Sequence, residues 1–164
     1  MRKTLAALCL LALPTMGAAN QVQTFLPGAE QRGAATFRLL GLPIYQARLF
    51  TRNAAPLDWS QDFGVELTYK RRINQEALVQ ATLDEMRRMG NPAPTVAQFN
   101  ACLQDVTPGD RYLAISRGAD ALEFRLNGRK TCDLQATGIK RSFMSIFLGR
   151  DSRSARFTQA LLGQ

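Results

Sequence analysis

Tyrosine and arginine are the residues of this sequence best suited to chemistry, because none of its 164 residues is a histidine. The absence of histidine excludes serine and cysteine triads that rely on an imidazole, histidine-ligated metals and the commonest proton shuttle. Acid–base or hydrogen-bonding chemistry must then come from tyrosine, lysine, arginine or a carboxylate. The cysteines fit no metal-binding spacing, so neither a metal nor a cofactor is expected.

Tyr45 is the first candidate ligand-binding residue. It lies in the stretch GLPIYQARLF, residues 41–50, where Ile44 and Leu49 favour a strand. Its phenol could donate a hydrogen bond to the carboxylate or carbonyl of a ligand; the alternative is a core aromatic whose hydroxyl bonds to the backbone. Tyr69 has the same two interpretations and lies on the apolar face of the alternating strand VELTYK.

Arginine is the natural partner for a ligand carboxylate, because its planar guanidinium donates two parallel hydrogen bonds. Arg38 and Arg48 lie on either side of Tyr45, and each could equally be a solvent-facing strand residue. Tyr45 and Arg48 are three positions apart, so they point to opposite faces of one strand and cannot form a single site through it. The preferred partners of Tyr45 are therefore Arg38 and Arg32.

The elements that must position these residues begin with three strands, at residues 36–40, 44–51 and 63–70. Two helices follow. Asn74 is a good N-cap for the first, and Thr95, with a glutamine three residues later, has capping-box spacing for the second.

Three more strands are predicted in the second half of the chain, in RYLAISR, ALEFRL and RKTCDL. Asn127-Gly128 between the last two is a strong signal for a hairpin with a two-residue turn. Such a turn would pair Leu126 with Arg129, and so Glu123 with Cys132.

Two helices end the chain. The first contains Phe143 and Phe147, and Asp151 is a candidate cap for the second, which contains Phe157. Because hairpin connections dominate, the predicted fold is α+β, a largely antiparallel sheet with its helices on one side.

Residues 1–19 have the three-part pattern of a secretory signal peptide: a basic start, an apolar run and small residues ending at Ala19. The apolar run is too short to span a bilayer, which needs about 20 apolar residues. We therefore expect cleavage after Ala19 and a single domain over residues 20–164, located in the periplasm or secreted.

Export changes the interpretation of the cysteines. Cys9 leaves with the signal, and Cys102 and Cys132 remain as a candidate disulfide in an oxidising compartment. The alternative is two separately buried thiols.

The net charge is +8, from small basic clusters spread over the whole chain without interleaved aromatic residues. An exported protein does not normally meet nucleic acid, so no nucleic-acid partner is expected. A solvated surface is the main interpretation, with weak attraction to anionic membrane surfaces as a further option. The expected state is a monomer.

The order and spacing of several pieces resemble the chalcone isomerase-like family, specifically its exported bacterial branch. The resemblance runs from about Gly33 to Gly163 and rests on GAATFRLLGLPIYQARLF, VELTYKRRI, DEMRRMG, VTPGDRYLAI, EFRLNGR, FMSIFLG and DSRSARFTQALLG. Near the end, Ile146-Phe147-Leu148-Gly149 stands where the family has isoleucine-tryptophan-leucine-glycine.

This resemblance implies an open-faced β-sandwich, a large antiparallel sheet with helices packed on one face. It also implies a pocket between sheet and helices. In plant enzymes of the family this pocket holds a flavonoid precursor, and in related non-catalytic proteins it holds a fatty acid near an arginine and a tyrosine.

The catalytic residues of the enzymes do not carry over. Tyr45 stands where the enzymes have a threonine, Ala77 or a neighbour stands in place of a tyrosine, and about Asp84 in place of an asparagine. Arg32 or Arg38 could match the family's arginine.

The leading hypothesis is thus a non-catalytic exported protein that binds a fatty acid or other small amphiphile. The alternatives are an isomerase that closes a chalcone-like enone by intramolecular addition, and an accessory envelope protein with a protein partner.

Overall fold

Six antiparallel strands form one sheet whose order follows the chain from β1 to β6. The computed structural model describes residues 18–164, so nearly all of the predicted signal peptide lies outside the described residues. The strands are β1 (Ala29–Leu39), β2 (Leu42–Arg52), β3 (Gly64–Tyr69), β4 (Arg111–Ser116), β5 (Ala121–Leu126) and β6 (Arg129–Gln135).

Four helices cover one face of the sheet, which we call the inner face, and a fifth packs on the outer face. The inner helices bury one large apolar core, and the first helix buries a smaller one. Among residues 18–164, no helix has both the length and the apolar character needed to cross a membrane. The helices are α1 (Ala18–Phe25), α2 (Gln75–Arg88), α3 (Val96–Cys102), α4 (Ile139–Leu148) and α5 (Ala155–Leu161).

Side-chain caps fix where three of the helices begin. The Asn74 side chain accepts a hydrogen bond from a backbone N–H in the first turn of α2, and Thr95 forms the predicted capping box with Gln98 at α3. For α5 the sequence prediction of an Asp151 cap is wrong. Ser154 caps that helix instead, because its hydroxyl accepts from the backbone N–H of the residue three positions on.

The mixed character of β2 follows from burial on both of its faces. On the inner face, Ala47 and Leu49 are fully buried in the main core. On the outer face, Phe50 is buried in the small core that Val22 of α1 completes. Between these apolar contacts the outer face carries an ion pair between Arg48 and Glu66 of β3. The helix on the outer face was not foreseen from the sequence.

The β5–β6 hairpin has the predicted turn but a different register beyond it. Leu126 pairs with Arg129 as expected, but a bulge then shifts the pairing, so that Cys132 lies opposite Phe124 rather than Glu123. The predicted pair would have put Cys132 on the outer face, because Glu123 points there. The extra residue of a bulge cannot be read from turn length alone.

A disulfide joins Cys102 at the end of α3 to Cys132 on β6, with 4.9 Å between the Cα atoms. The bulge makes this bond possible, because it turns Cys132 to the inner face. Phe124, the partner of Cys132, is buried in the core on that face. The bond ties the edge strand of the sheet to the helical layer.

Candidate functional site

An apolar cavity of about 300 Å³ lies between the inner face of the sheet and the helices. This volume is at the lower end of the range of roughly 300–1,000 Å³ typical of small-molecule sites. Strands β1, β2 and β3 form its floor, α2 and the end of α4 form its walls, and the residues that join α4 to α5 form its rim.

Three aromatic side chains on neighbouring strands make up the floor. The register places Phe37, Tyr45 and Tyr69 opposite one another across β1, β2 and β3, so all three point to the same face. The ring centroids of Phe37 and Tyr45 are 5.2 Å apart and stacked, and those of Tyr45 and Tyr69 are 6.1 Å apart. Phe147 and Phe157 contact Tyr45 edge-on from the helical side.

The phenols of Tyr45 and Tyr69, which both line the cavity, are neutral donors. Burial raises the pKa of both phenols well above the ordinary value, so both remain protonated at any physiological pH. Within the described residues neither hydroxyl has a hydrogen-bond partner, whereas the nearby Tyr112 hydroxyl donates to the backbone carbonyl of Cys102 at 3.1 Å. Each cavity phenol is therefore able to donate to a ligand.

The charged part of the cavity consists of Glu85 on α2 and Arg153 in the rim. The Glu85 side chain is only 3% exposed, and it forms ion pairs with both Arg153 and Arg88. The Nη2 atom of Arg88 lies 2.5 Å from Oε1 of Glu85. One carboxylate between two guanidinium groups leaves this cluster with a net positive charge.

The two arginines also determine the protonation state of Glu85. Burial alone would raise the pKa of the Glu85 carboxyl, but the hydrogen bonds from Arg88 and Arg153 outweigh it and hold the pKa below its usual range. Glu85 is thus ionised at neutral pH. Glu85 is buried although it is charged, because Arg88 and Arg153 both bond to its carboxylate.

The rim of the cavity is fastened to α2 at several points. Nη2 of Arg88 donates to the backbone carbonyl of Asp151 at 2.5 Å, and Nη2 of Arg153 donates to that of Ala81 at 3.4 Å. Ser152 forms a hydroxyl–hydroxyl hydrogen bond of 2.6 Å with Thr158 on α5. These contacts hold Arg153 in position at the opening.

A smaller cavity of about 50 Å³ lies deeper between the sheet and the helices. It shares Leu67, Tyr69, Leu78, Thr82 and Phe147 with the main cavity and continues towards Phe143. The two cavities therefore adjoin each other.

The structure brings two of the four proposed ligand-binding residues to the cavity. Tyr45 and Tyr69 line it, but Arg38 and Arg32 do not. Arg38 is exposed and donates to the backbone carbonyl of Gly41 at 3.2 Å. Arg32 donates to the carbonyl of Leu162 at 3.0 Å and lies beside a separate polar groove. The binding roles of all four remain predictions.

Sequence reasoning missed the arginine that does line the cavity, Arg153. It belongs to an irregular segment, where no periodicity indicates the direction of a side chain. The only signal was a serine on either side of it, typical of a helix start. Of the positions matched to catalytic residues of the enzymes, Ala77 lines the cavity and Asp84 is exposed and paired with Arg87 at 2.7 Å.

Among residues 18–164, no group of cysteine and carboxylate side chains is arranged to hold a metal ion.

The chain has the chalcone isomerase-like fold, an open six-stranded antiparallel sheet with helices packed on its inner face, as the sequence predicted. The crystal structure of the Arabidopsis thaliana fatty-acid binding protein AtFAP1 matches it with a TM-score of 0.64. The match covers 84% of this chain and 88% of that chain, at 10% sequence identity. At this identity the likeness shows the fold alone. No protein-family model and no curated protein sequence matches the chain.

Proposed function

We propose that this protein binds a fatty acid or another single-chain amphiphile with an anionic head group, and that it does so without catalysis. The observation that carries the proposal is the apolar cavity whose charged lining residues belong to a net-positive cluster. The fold that this chain shares with a fatty-acid binding protein of Arabidopsis thaliana supports it.

The cavity offers an amphiphile two different environments. Its aromatic and aliphatic walls suit an alkyl chain, which gains from leaving water. At the rim, Arg153 can turn from Glu85 to a ligand carboxylate, because Glu85 keeps its second partner, Arg88. The neutral phenol of Tyr45 interacts electrostatically with Arg153 and Glu85, and it could donate a hydrogen bond to the ligand carboxylate.

Closing the mouth of the cavity tests whether it is the binding site. Ala81 is an exposed residue of α2 that lines the opening, so Ala81→Trp should block entry without disturbing the core. We expect displacement of a fluorescent fatty acid to weaken at least tenfold. Gln80→Trp, on the same helix but outside the cavity, is the matched control and should bind normally. If denatured protein releases no lipid and a fluorescent fatty acid never binds, the proposal fails.

The class of head group is tested at the rim. Arg153→Gln should weaken binding of a fatty acid roughly tenfold, as expected for the loss of one charge-assisted hydrogen bond, and leave binding of the matching fatty alcohol almost unchanged. Arg156→Gln removes the same charge from a neighbouring exposed position outside the cavity. Equal losses for acid and alcohol would show that Arg153 acts through the shape of the rim alone.

An isomerase is the second candidate, on one observation. Two neutral phenols without a partner among the described residues could polarise the carbonyl of a bound enone. Loss of chalcone absorbance in the presence of the protein, over a panel of substituted chalcones, tests it. No rate above buffer, together with tight fatty-acid binding, would exclude this activity for that panel.

We also propose that the protein acts outside the cytoplasm. The disulfide between Cys102 and Cys132 supports this location, because such bonds persist in oxidising compartments. N-terminal sequencing of protein recovered from the cell envelope or medium should begin near Asn20. A chain that keeps residues 1–19 there would contradict cleavage after Ala19.

A further inference from the structure

Exposed leucines gather at a single point of the described chain, the turn between β1 and β2. Leu39, Leu40 and Leu42 are 54%, 95% and 51% exposed, and only one other large apolar residue among residues 21–164, Val96, is comparably open. We call these three leucines the hairpin tip. Single exposed leucines are common, but three adjacent ones are a feature that requires a reason.

The backbone conformation at the hairpin tip also disfavours a leucine at position 40. Leu40 has a φ of 50° and Gly41 a φ of 81°, both in the left-handed region. Asparagine or glycine occupies the first of these positions most readily, whereas a bulky side chain is strained there. Leu40 is therefore unfavourable both for the turn and for its exposure to water.

The surroundings of the hairpin tip are strongly basic. Residues 31–57 contain no aspartate or glutamate. Of their four arginines, Arg38 lies beside the tip, whereas the other three lie further along the two strands. Lys70, Arg71 and Arg72 follow β3 at the same end of the sheet and are exposed, and the Lys70 N–H donates to the carbonyl of Ile44 at 2.8 Å. Arg38 lies within the hairpin itself.

The hairpin tip is continuous with the cavity. Leu39 is exposed at the tip and also lines the cavity, next to Phe37 on the same strand. A flat surface that met the tip would therefore meet the edge of the cavity opening as well.

We propose that the hairpin tip inserts into the surface of an anionic lipid bilayer, while Arg38, Lys70, Arg71 and Arg72 contact the head groups. Exposed apolar side chains beside a group of exposed cations match the layers of such a surface: hydrocarbon below, negative charge above. The hairpin tip thereby holds the cavity opening against the membrane.

A second copy of this chain fits the hairpin tip less well. Three leucine side chains offer far less than the roughly 800 Å² per partner that a stable protein interface needs. The surrounding cations would also repel those of an identical molecule, whereas they are attracted to anionic head groups.

Sedimentation with lipid vesicles tests the proposal. The protein should bind vesicles in which about a third of the phosphatidylcholine is replaced by phosphatidylglycerol, and bind pure phosphatidylcholine much less. Leu40→Asn should weaken partitioning about tenfold, the value of one leucine's transfer from water. Val96→Thr removes an apolar residue about as exposed as Leu42 from another part of the surface and should have no effect.

A matched pair of arginine variants tests how much charge contributes to vesicle binding. Arg71→Gln should weaken binding to the anionic vesicles about fivefold, the effect of one cation near a charged surface. Arg129→Gln removes an exposed arginine at the same end of the sheet but at its opposite edge, and should change binding little. Equal losses from the two variants would mean that net charge, not the hairpin tip, binds the membrane.

Further outcomes separate this proposal from folding defects and from the proposed function. Leu42→Thr keeps a strand-favouring residue and should repeat the Leu40→Asn result. If both variants retain full vesicle binding, the proposal is overturned. It is also overturned if wild type forms dimers that Leu40→Asn dissociates. Insertion of the tip does not need an open cavity, so Ala81→Trp should still bind vesicles even though it loses fatty-acid binding.

Discussion

The two tight hairpins of this protein have nearly the same backbone and opposite surroundings. In the β5–β6 turn, Asn127 and Gly128 have φ values of 51° and 82°; in the β1–β2 turn, Leu40 and Gly41 have values of 50° and 81°. Both turns lie at the same end of the sheet, at opposite edges.

Asn127 is bonded into the fold, but Leu40 is not. The Asn127 side chain accepts a hydrogen bond from the Arg111 N–H and donates one to the Asp110 carboxylate, each at 2.9 Å. Leu40 is almost entirely in water. The same turn geometry thus holds a hydrogen-bonded asparagine at one edge of the sheet and an exposed leucine at the other.

Loss of the disulfide that fastens the β6 edge of the sheet should give the largest change in the free energy of unfolding. Replacing Cys102 and Cys132 together by alanine removes a cross-link over 30 residues and should lower the free energy of unfolding by about 3–4 kcal/mol on the chain-entropy account. Urea unfolding measures it, and the reduced wild type is the control. An unchanged midpoint would show that packing alone fastens β6.

Asn127→Leu should give the next largest effect. It removes two hydrogen bonds and puts a bulky residue in the left-handed region, so we expect a loss of about 1–3 kcal/mol. The same urea experiment measures it. An unchanged free energy of unfolding would show that the residue at this position of the turn does not affect stability, and the contrast between the two turns would fail.

Leu40→Asn should act in the opposite direction and raise the free energy of unfolding by about 0.5–1 kcal/mol, because asparagine suits the turn and leucine gains nothing from exposure. Circular dichroism during urea unfolding is sufficient to detect it. A marked loss of stability would reveal a structural role for Leu40 and weaken the case for a membrane-facing one.

The smallest effect concerns pH. The hydrogen bond from the Asn127 amide, with those from Thr107, holds the pKa of the Asp110 carboxyl below its ordinary value of about 3.9. A lowered pKa stabilises the fold above about pH 4, and this contribution is lost as the pH falls through the folded-state pKa.

Asn127→Leu should therefore raise the pKa of Asp110 towards its ordinary value in an NMR titration, and its cost to stability should shrink in acid. The effect of Leu40→Asn should stay constant with pH, since residues 31–57 contain no carboxylate. A pKa of Asp110 that does not move would assign its shift to Thr107 alone.

Much of the fold could be predicted, because it depends on local patterns. Alternation identified β3, the caps identified α2 and α3, and Asn127-Gly128 identified a hairpin. The register beyond that turn could not be predicted, because a bulge depends on what the strand packs against. The outer-face helix was missed because Ala18 and Ala19 belong to the predicted signal peptide, and the residues that remain are too few to indicate a helix.

The candidate site, like the fold, could be predicted only in part. Tyr45 and Tyr69 were identified because strand alternation shows which residues share a face. Arg153 and Glu85 could not be identified as partners, because they are 68 residues apart and meet only when α5 and α2 pack on one sheet. Arg32 and Arg38 were chosen because Arg48 points away from Tyr45 and because either could match the family's arginine, but neither of these two residues of β1 lines the cavity.

The contact between the first strand and the last helix also has a consequence for the order of events during synthesis. A side chain at Gly33 of β1 would lie 2.3 Å from the backbone carbonyl oxygen of Leu161, and Arg32 bonds to the carbonyl of Leu162. At roughly 5–20 residues per second, the ribosome makes Leu161 about 6–26 seconds after Gly33. This edge strand must wait, uncovered, until the chain reaches Leu162, and it is during that interval that it is open to pairing with another molecule.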